Sequence, residues 1–195
     1  LIIRSKLYRP PVGRDHVHRS ALLDRLDTHQ QHPLTVISAP AGYGKSTLVS
    51  CWLGGRDTAS AWISLDGNDS RMRLFLSYFI TAIRDIFPTA CRQTMAMLEG
   101  PHLLPVTVLA GNLLNELAML DRPFILVLDD YHFLREQAIH QLLTRILEHP
   151  PRCMHLVIIS RHDPPLPLTS LRAKGKLFEI RSQDLRFSRT ETKLF

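Results

Sequence analysis

Leu34-Thr35-Val36-Ile37-Ser38-Ala39-Pro40-Ala41-Gly42-Tyr43-Gly44-Lys45-Ser46-Thr47-Leu48 passes from a short β-rich segment into two glycines, a lysine and two hydroxyl residues. Leu34 to Ser38 has the length and composition of a strand buried on both faces. The residues after it follow the spacing G-x-x-x-x-G-K-[ST], with Ala39 in the first glycine's place. In that pattern a glycine-rich turn lets consecutive backbone N–H groups point at phosphate oxygens. The helix that follows adds the positive end of its dipole. Ala39, Pro40, Ala41, Gly42, Tyr43, Gly44, Lys45, Ser46 and Thr47 are therefore the candidate nucleotide-binding loop. Gly42 and Gly44 supply permissive backbone, Lys45 the charge for the β- and γ-phosphates, and Ser46 a hydroxyl ligand for Mg2+. Thr47 begins the helix. At Ala39 the turn cannot use a positive φ cheaply.

Outward from this loop, apolar strand-like runs recur at Ala61–Leu65, Phe124–Leu128, Leu156–Ile159 and Leu177–Ile180, making five candidate strands. Between them, apolar residues repeat at three- and four-residue steps. Leu74, Phe75, Tyr78, Phe79, Ala82, Ile83 and Ile86 make one helical face, Leu109, Leu113, Leu114 and Leu117 a second. Ala138, Ile139, Leu142, Leu143, Ile146 and Leu147 make a third. Strands alternating with helices predict an α/β fold, a three-layer P-loop NTPase sandwich around a mainly parallel five-stranded sheet. In such a sheet the ligand lies beyond the carboxyl ends of the strands, so a functional motif should fall there.

Asp129 and Asp130 meet that condition, following Phe124–Leu128 directly. Asp129 would hold Mg2+ through a water and Asp130 polarise the attacking water. Ser160-Arg161 ends another strand. In the additional-strand class of P-loop ATPases one strand lies between the loop strand and the acidic strand, so Arg161 would sense the γ-phosphate. Asp66 and Asp69 follow the second strand, where turn chemistry explains Asp-Gly-Asn-Asp as well as a phosphate role does. The ten histidines, His132 and His140 among them, form no HExxH pattern and show no matched metal partners.

The 195 residues can bury one sizeable core without disulfide or metal. Cys51, Cys91 and Cys153 are odd in number and far apart, and read as reduced thiols of a cytoplasmic protein. No run approaches the roughly 18 apolar residues of a membrane span. Net charge is +6, concentrated at the ends: residues 1–20 carry five basic side chains against one acidic, and 151–195 nine against four. Such ends suit phosphate, nucleic acid or an acidic surface. Solvated side chains flanking a core account for them more simply. Position 1 is Leu, and Ser188-Arg189-Thr190-Glu191 has the form of a capping box that opens a helix just before the last residue. These ends suggest a piece of a longer chain.

Several blocks together resemble a specific family. They are Ser5-Lys6-Leu7-Tyr8-Arg9-Pro10-Pro11, Val17-His18-Arg19 through Leu22-Leu23, the loop itself, and Trp62-Ile63-Ser64-Leu65-Asp66. Further along come Leu126-Val127-Leu128-Asp129-Asp130-Tyr131-His132, Ser160-Arg161-His162-Asp163-Pro164-Pro165-Leu166-Pro167 and Leu171-Arg172-Ala173. In this order they resemble the nucleotide-binding domain of the MalT-type, large LuxR-family transcriptional regulators, within the STAND class of signal-transducing ATPases. The resemblance implies a switch in which ADP holds an inactive monomer. ATP with a small-molecule inducer permits self-association and transcription activation, and slow hydrolysis resets the state. It implies that residues 1–33 form an extension and helix contributing to the nucleotide pocket, with Val17 and Arg19 beside adenine and sugar. Residues 34–187 would be the ATPase core and 188–195 the start of a helical subdomain. Arg172 would serve the phosphate side or an inter-domain contact. Inducer and DNA would be bound by regions outside these residues, and no membrane is implied. The sequence departs from the family after Asp69, where Ser70, Arg71 and Leu74 replace its acidic and arginine residues.

Two other classes fit parts of the sequence. A conventional P-loop enzyme such as a small-molecule kinase would need an acceptor site and a lid, and no arginine-rich lid segment is visible. A nucleic-acid-binding module using the basic ends would bind any DNA in a salt-dependent way.

Overall fold

A computed structural model describes residues 2–13 and 16–192. Arg14 and Asp15 of the basic amino end, Leu1, and 193–195 of the expected helical start lie outside the described residues. The elements are α1 (Ser20–His29), β1 (Leu34–Ser38), α2 (Lys45–Gly54), β2 (Ala59–Ser64), α3 (Met72–Ile86) and α4 (Arg92–Glu99). They continue with α5 (Val106–Ala118), β3 (Phe124–Asp129), α6 (Gln137–Glu148), β4 (Met154–Ser160), α7 (Leu168–Ala173), β5 (Leu177–Arg181) and α8 (Arg189–Thr192). Among the described residues no helix is long and apolar enough to cross a membrane.

The strands form one sheet in the order β2-β3-β4-β1-β5, and every pairing is parallel. β4 therefore separates β1 from β3, as the additional-strand class requires. The register sets Ser38 beside Ser160 and Ser64 beside Asp129, so the tips of four strands end together along one edge.

Strand side chains alternate between two apolar layers. On β3, Phe124, Leu126 and Leu128 pack with α3, α5 and α6, while Ile125 and Val127 pack with α1 and α2. This burial on both faces is why β1, β3 and β4 read as unbroken apolar runs rather than alternating ones. The three described cysteines are free.

The amino-terminal stretch is fastened across an edge of the sheet. Its 3₁₀ turn at Arg4–Leu7 packs beside β2, an edge strand, and buries Leu7. Covering such an edge removes a surface on which another strand could pair. The Ile3 N–H donates to Tyr78 Oη at 3.0 Å, and Ser50 Oγ donates to the Pro10 carbonyl at 2.5 Å.

Candidate nucleotide-binding site

The loop after β1 turns on Gly42, at φ +84°, and Gly44, at φ +69°. Gly44 is the residue before α2, so a left-handed residue delivers the chain into the helix. An added Cβ at either glycine would meet nothing within 4 Å. The requirement is therefore conformational: only glycine holds these φ values without strain. The exposed backbone leaves room for a phosphate to approach. Lys45 opens α2 with only 8% of its surface exposed, and its Nζ donates to the Pro40 carbonyl at 2.9 Å. Burial lowers the Lys45 pKa and Arg161 adds to that effect, while Asp130 and Asp129 oppose it.

A cavity of about 390 Å³ lies against this loop, between Gly42, Gly44, Lys45 and Ser46 on one side and Asp130 and Arg161 on the other. Asp129 is behind it. The Ser46 hydroxyl donates to Asp129 Oδ1 at 3.0 Å, and the Asp130 N–H donates to the same oxygen at 2.9 Å. Burial pushes the Asp129 carboxyl up to about 6, against the Ser46 hydrogen bond and Lys45, with the neighbouring Asp130 adding to the rise. Asp129 is a buried carboxylate in contact with the Ser46 hydroxyl, a pair of oxygens of the kind a divalent cation takes. Ser46 and Asp129 are hard oxygen donors that fit Mg2+, which is commonly held by one or two carboxylates together with substrate phosphates. Among the described residues no cluster of three or more His, Cys, Asp and Glu suited to a metal occurs.

A second cavity, about 180 Å³, adjoins the first through Gly44 and Thr47. Its walls are mostly apolar and include Val17, Leu23, Tyr43, Leu48 and Phe187. An apolar slot beside a phosphate cradle has the chemistry to take a flat heterocycle. Arg19 lines it too, but its guanidinium is committed elsewhere. It donates to the Leu185 carbonyl at 2.7 Å and the Arg186 carbonyl at 2.8 Å, pairs with Glu191 at 3.1 Å, and lies 4.9 Å from the Phe187 ring centroid.

The structure thus brings residues 41–47 of the loop, Asp130, Arg161, Val17 and Arg19 around two adjoining cavities, with Asp129 behind the first through Ser46, while Ala39 and Pro40 line neither. Other acids and bases go elsewhere. Asp66 and Asp69 both bind Lys6, at 2.7 and 2.6 Å, and Asp66 and Asp69 close a capping box around Gly67–Asp69. Their role is the turn and the amino-terminal strap, not the phosphate cavity. Arg172 pairs with Glu179 on β5 at 2.8 Å. Leu23 and Leu48 stand in the sequence blocks above without a site role, and Phe187 in none of them. An apolar residue that lines a cavity carries the same local signal as one that fills a core.

The profile of the AAA ATPase domain family matches residues 10–159. The chain is 38% identical over all 195 residues to the HTH-type transcriptional regulator MalT from two strains of Klebsiella pneumoniae, and spans 22% of the length of each. Among solved structures it is similar to Cdc6p from Pyrobaculum aerophilum, with TM-score 0.56 and 18% identity over 92% of this chain and 49% of that one. It is also similar to a Signal Transduction ATPase with Numerous Domains (STAND) protein with a tetratricopeptide repeat sensor from Pyrococcus horikoshii. That match has TM-score 0.54 and 15% identity over 89% of this chain and 24% of that one. The Walker-type ATPase of Pyrococcus abyssi matches with TM-score 0.53 and 14% identity, over 94% of this chain and 58% of that one. At these identities the likeness is one of fold. With the five-stranded order, the glycine turn and the family profile in agreement, the chain belongs to the AAA ATPase domain family.

Proposed function

We propose that this domain is a nucleotide-dependent regulatory switch: a slow ATPase that binds ATP or ADP with Mg2+ and, within a longer cytoplasmic transcriptional regulator, governs self-association. The observation that carries the reading is the meeting of Lys45, Asp130 and Arg161 on one cavity, from the start of α2 and from just past β3 and β4. A site that only held a nucleotide needs the loop and its lysine. A site that distinguishes ATP from ADP needs a charge where the γ-phosphate ends, and Arg161 at the tip of β4 supplies it.

In this reading the backbone N–H groups from Gly42 to Ser46 and the start of α2 hold the phosphates. Lys45 would leave the Pro40 carbonyl for the β- and γ-phosphates. Mg2+ at Ser46 and Asp129 would neutralise charge on the phosphate oxygens. Asp130, half exposed, would orient the attacking water, and Arg161 would report whether the γ-phosphate is present. The apolar slot of Val17, Tyr43 and Phe187 would receive the base. Residues 1–33 would thus belong to the pocket, 34–187 to the core, and the segment from 188 to the next subdomain. Inducer and DNA would be met by other parts of the longer protein, and the similarity to an HTH-type transcriptional regulator supports the DNA contact.

Calorimetric titration of ATP and ADP into the parent, Lys45→Ala and Arg161→Ala proteins tests this directly. Lys45→Ala should show no measurable binding. Arg161→Ala should bind ADP like the parent and lose the preference between the two nucleotides. Light scattering of the full-length protein should show larger assemblies with ATP than with ADP. Equal assembly with both, in a protein that binds both, would remove the switch.

A further inference from the structure

His132 is placed and oriented in a way that the proposed machinery does not use. Asp130 adopts φ +56°, a left-handed conformation rare for a residue with a side chain, and so reverses the chain just past β3. Tyr131–Phe133 follows as a 3₁₀ turn, closed by the Phe133 N–H donating to the Asp130 carbonyl at 3.1 Å. Tyr131, fully buried, anchors the turn through its hydroxyl, 2.7 Å from His140 Nδ1. The turn throws the His132 ring back toward Asp130. There it lies 4.4 Å from the Phe133 ring and edge-on to His162 at 5.9 Å between centroids.

The His132 side chain is 8% exposed, and both of its ring nitrogens are buried without a hydrogen-bond partner. A buried imidazole with neither nitrogen satisfied is uncommon in a well-packed protein and calls for a partner that arrives in another state. Asp130 Oδ1 lies 3.8 Å from Nδ1, beyond hydrogen-bond length but within reach of a small carboxylate rotation. Asp130 has that freedom, since 47% of its side chain is exposed. Burial holds the imidazole pKa below its ordinary value, with Arg161, His162 and Lys45 adding to the effect and Asp130 opposing it. At neutral pH the ring is therefore a neutral donor of one N–H.

We infer that His132 is a positioning residue, whose Nδ1–H grips Asp130 Oδ1 and turns the other carboxylate oxygen toward the water that attacks the γ-phosphate. The inference rests on the ATPase reading. In the step served, the water oxygen bonds to the γ-phosphorus while the bond from that phosphorus to the β–γ bridging oxygen breaks. The electron pair leaves with ADP, and the water's proton passes to Asp130 and then to solvent. Correct aim matters because a small misplacement of a reacting group costs far more rate than affinity.

Steady-state ATP turnover and calorimetric affinity for a non-hydrolysable ATP analogue, both on the full-length protein, separate the possibilities. His132→Phe keeps the ring and removes the donor, and should lower kcat about tenfold with analogue affinity unchanged. His132→Asn, whose amide N–H falls near the Nδ1 position, should recover most of the turnover. His132→Gln, with its amide farther out, should not, and this pair decides the matter if circular dichroism shows that the phenylalanine variant is unfolded. In an Asp130→Asn background His132→Phe should cost nothing more. Full turnover in His132→Phe, an undiminished further loss in the Asp130→Asn background, or equal behaviour of Asn and Gln would overturn the positioning role alone. Analogue binding without turnover in the parent protein would instead overturn the ATPase reading, and this inference with it.

Discussion

His155 on β4 shows how a single side chain can be assigned a proton from its neighbours. Its Nδ1 lies 2.5 Å from the His32 carbonyl, which can only accept, so Nδ1 carries the hydrogen. Nε2 is then an acceptor, and Thr35 Oγ1 donates to it at 3.1 Å. Burial pushes this imidazole down to about 4, with the His32 carbonyl opposing the shift. The folded state therefore refuses a proton that the unfolded chain, at about 6.5, accepts. The sign follows: the contribution is complete above pH 6.5 and is lost as pH falls from 6.5 toward 4. Urea unfolding of the parent should weaken over that interval by an amount on the order of 3 kcal/mol. A His155→Gln protein should lack this acid-sensitive component; an unchanged slope would argue that the ring is not neutral and buried. Nothing in the sequence distinguishes His155 from the other nine histidines. Its environment comes from strands and a loop joined only by folding.

At the scale of elements, two features rest on partners supplied from far along the chain. The amino-terminal strap is held by Lys6 between Asp66 and Asp69, the latter 1% exposed. Both hydrogen bonds to these carboxylates raise the Lys6 pKa against the burial that would lower it. Lys6→Met would leave Asp69 as a buried charge without its cation. Removing one partner of such a pair typically costs about 3 kcal/mol or more. Urea denaturation should show that loss, and the segment around buried Leu7 should become accessible to proteolysis before the core does. Helix α4 has the same dependence. Its first turn is capped by Glu116 of α5, which accepts from the Gln93 and Thr94 N–H groups at 2.8 and 3.0 Å and from Thr94 Oγ1 at 2.6 Å. A cap supplied from another helix leaves no local signature, which is why this helix is not legible in the sequence while α3 and α6 are. Their apolar faces repeat without interruption.

Across the whole molecule, Arg19 pairs with Glu191, 172 residues further along the chain. The same arginine borders the apolar slot and holds the carbonyls of Leu185 and Arg186. A base entering the slot would therefore meet a wall formed partly by the segment that leads into α8. Arg19→Ala should weaken nucleotide binding roughly tenfold, the order expected when a buried charged hydrogen-bonding group is lost. It should also expose residues 185–192 to limited proteolysis, with nucleotide no longer protecting them. Retained affinity together with retained protection would show that the bridge is not part of the pocket wall. Sequence by itself determined the five strands, the glycine turn with Lys45 and Ser46, the acids at the end of β3 and the α/β class. Each of these depends on local composition and periodicity, which a short window of residues contains. Only the tertiary structure decided that Asp66 and Asp69 serve the strap, that Arg172 faces Glu179 and that Arg19 reaches Glu191. Those roles depend on which strand tips and loops the packing of both apolar layers brings within a few ångströms, and residue spacing does not encode that distance.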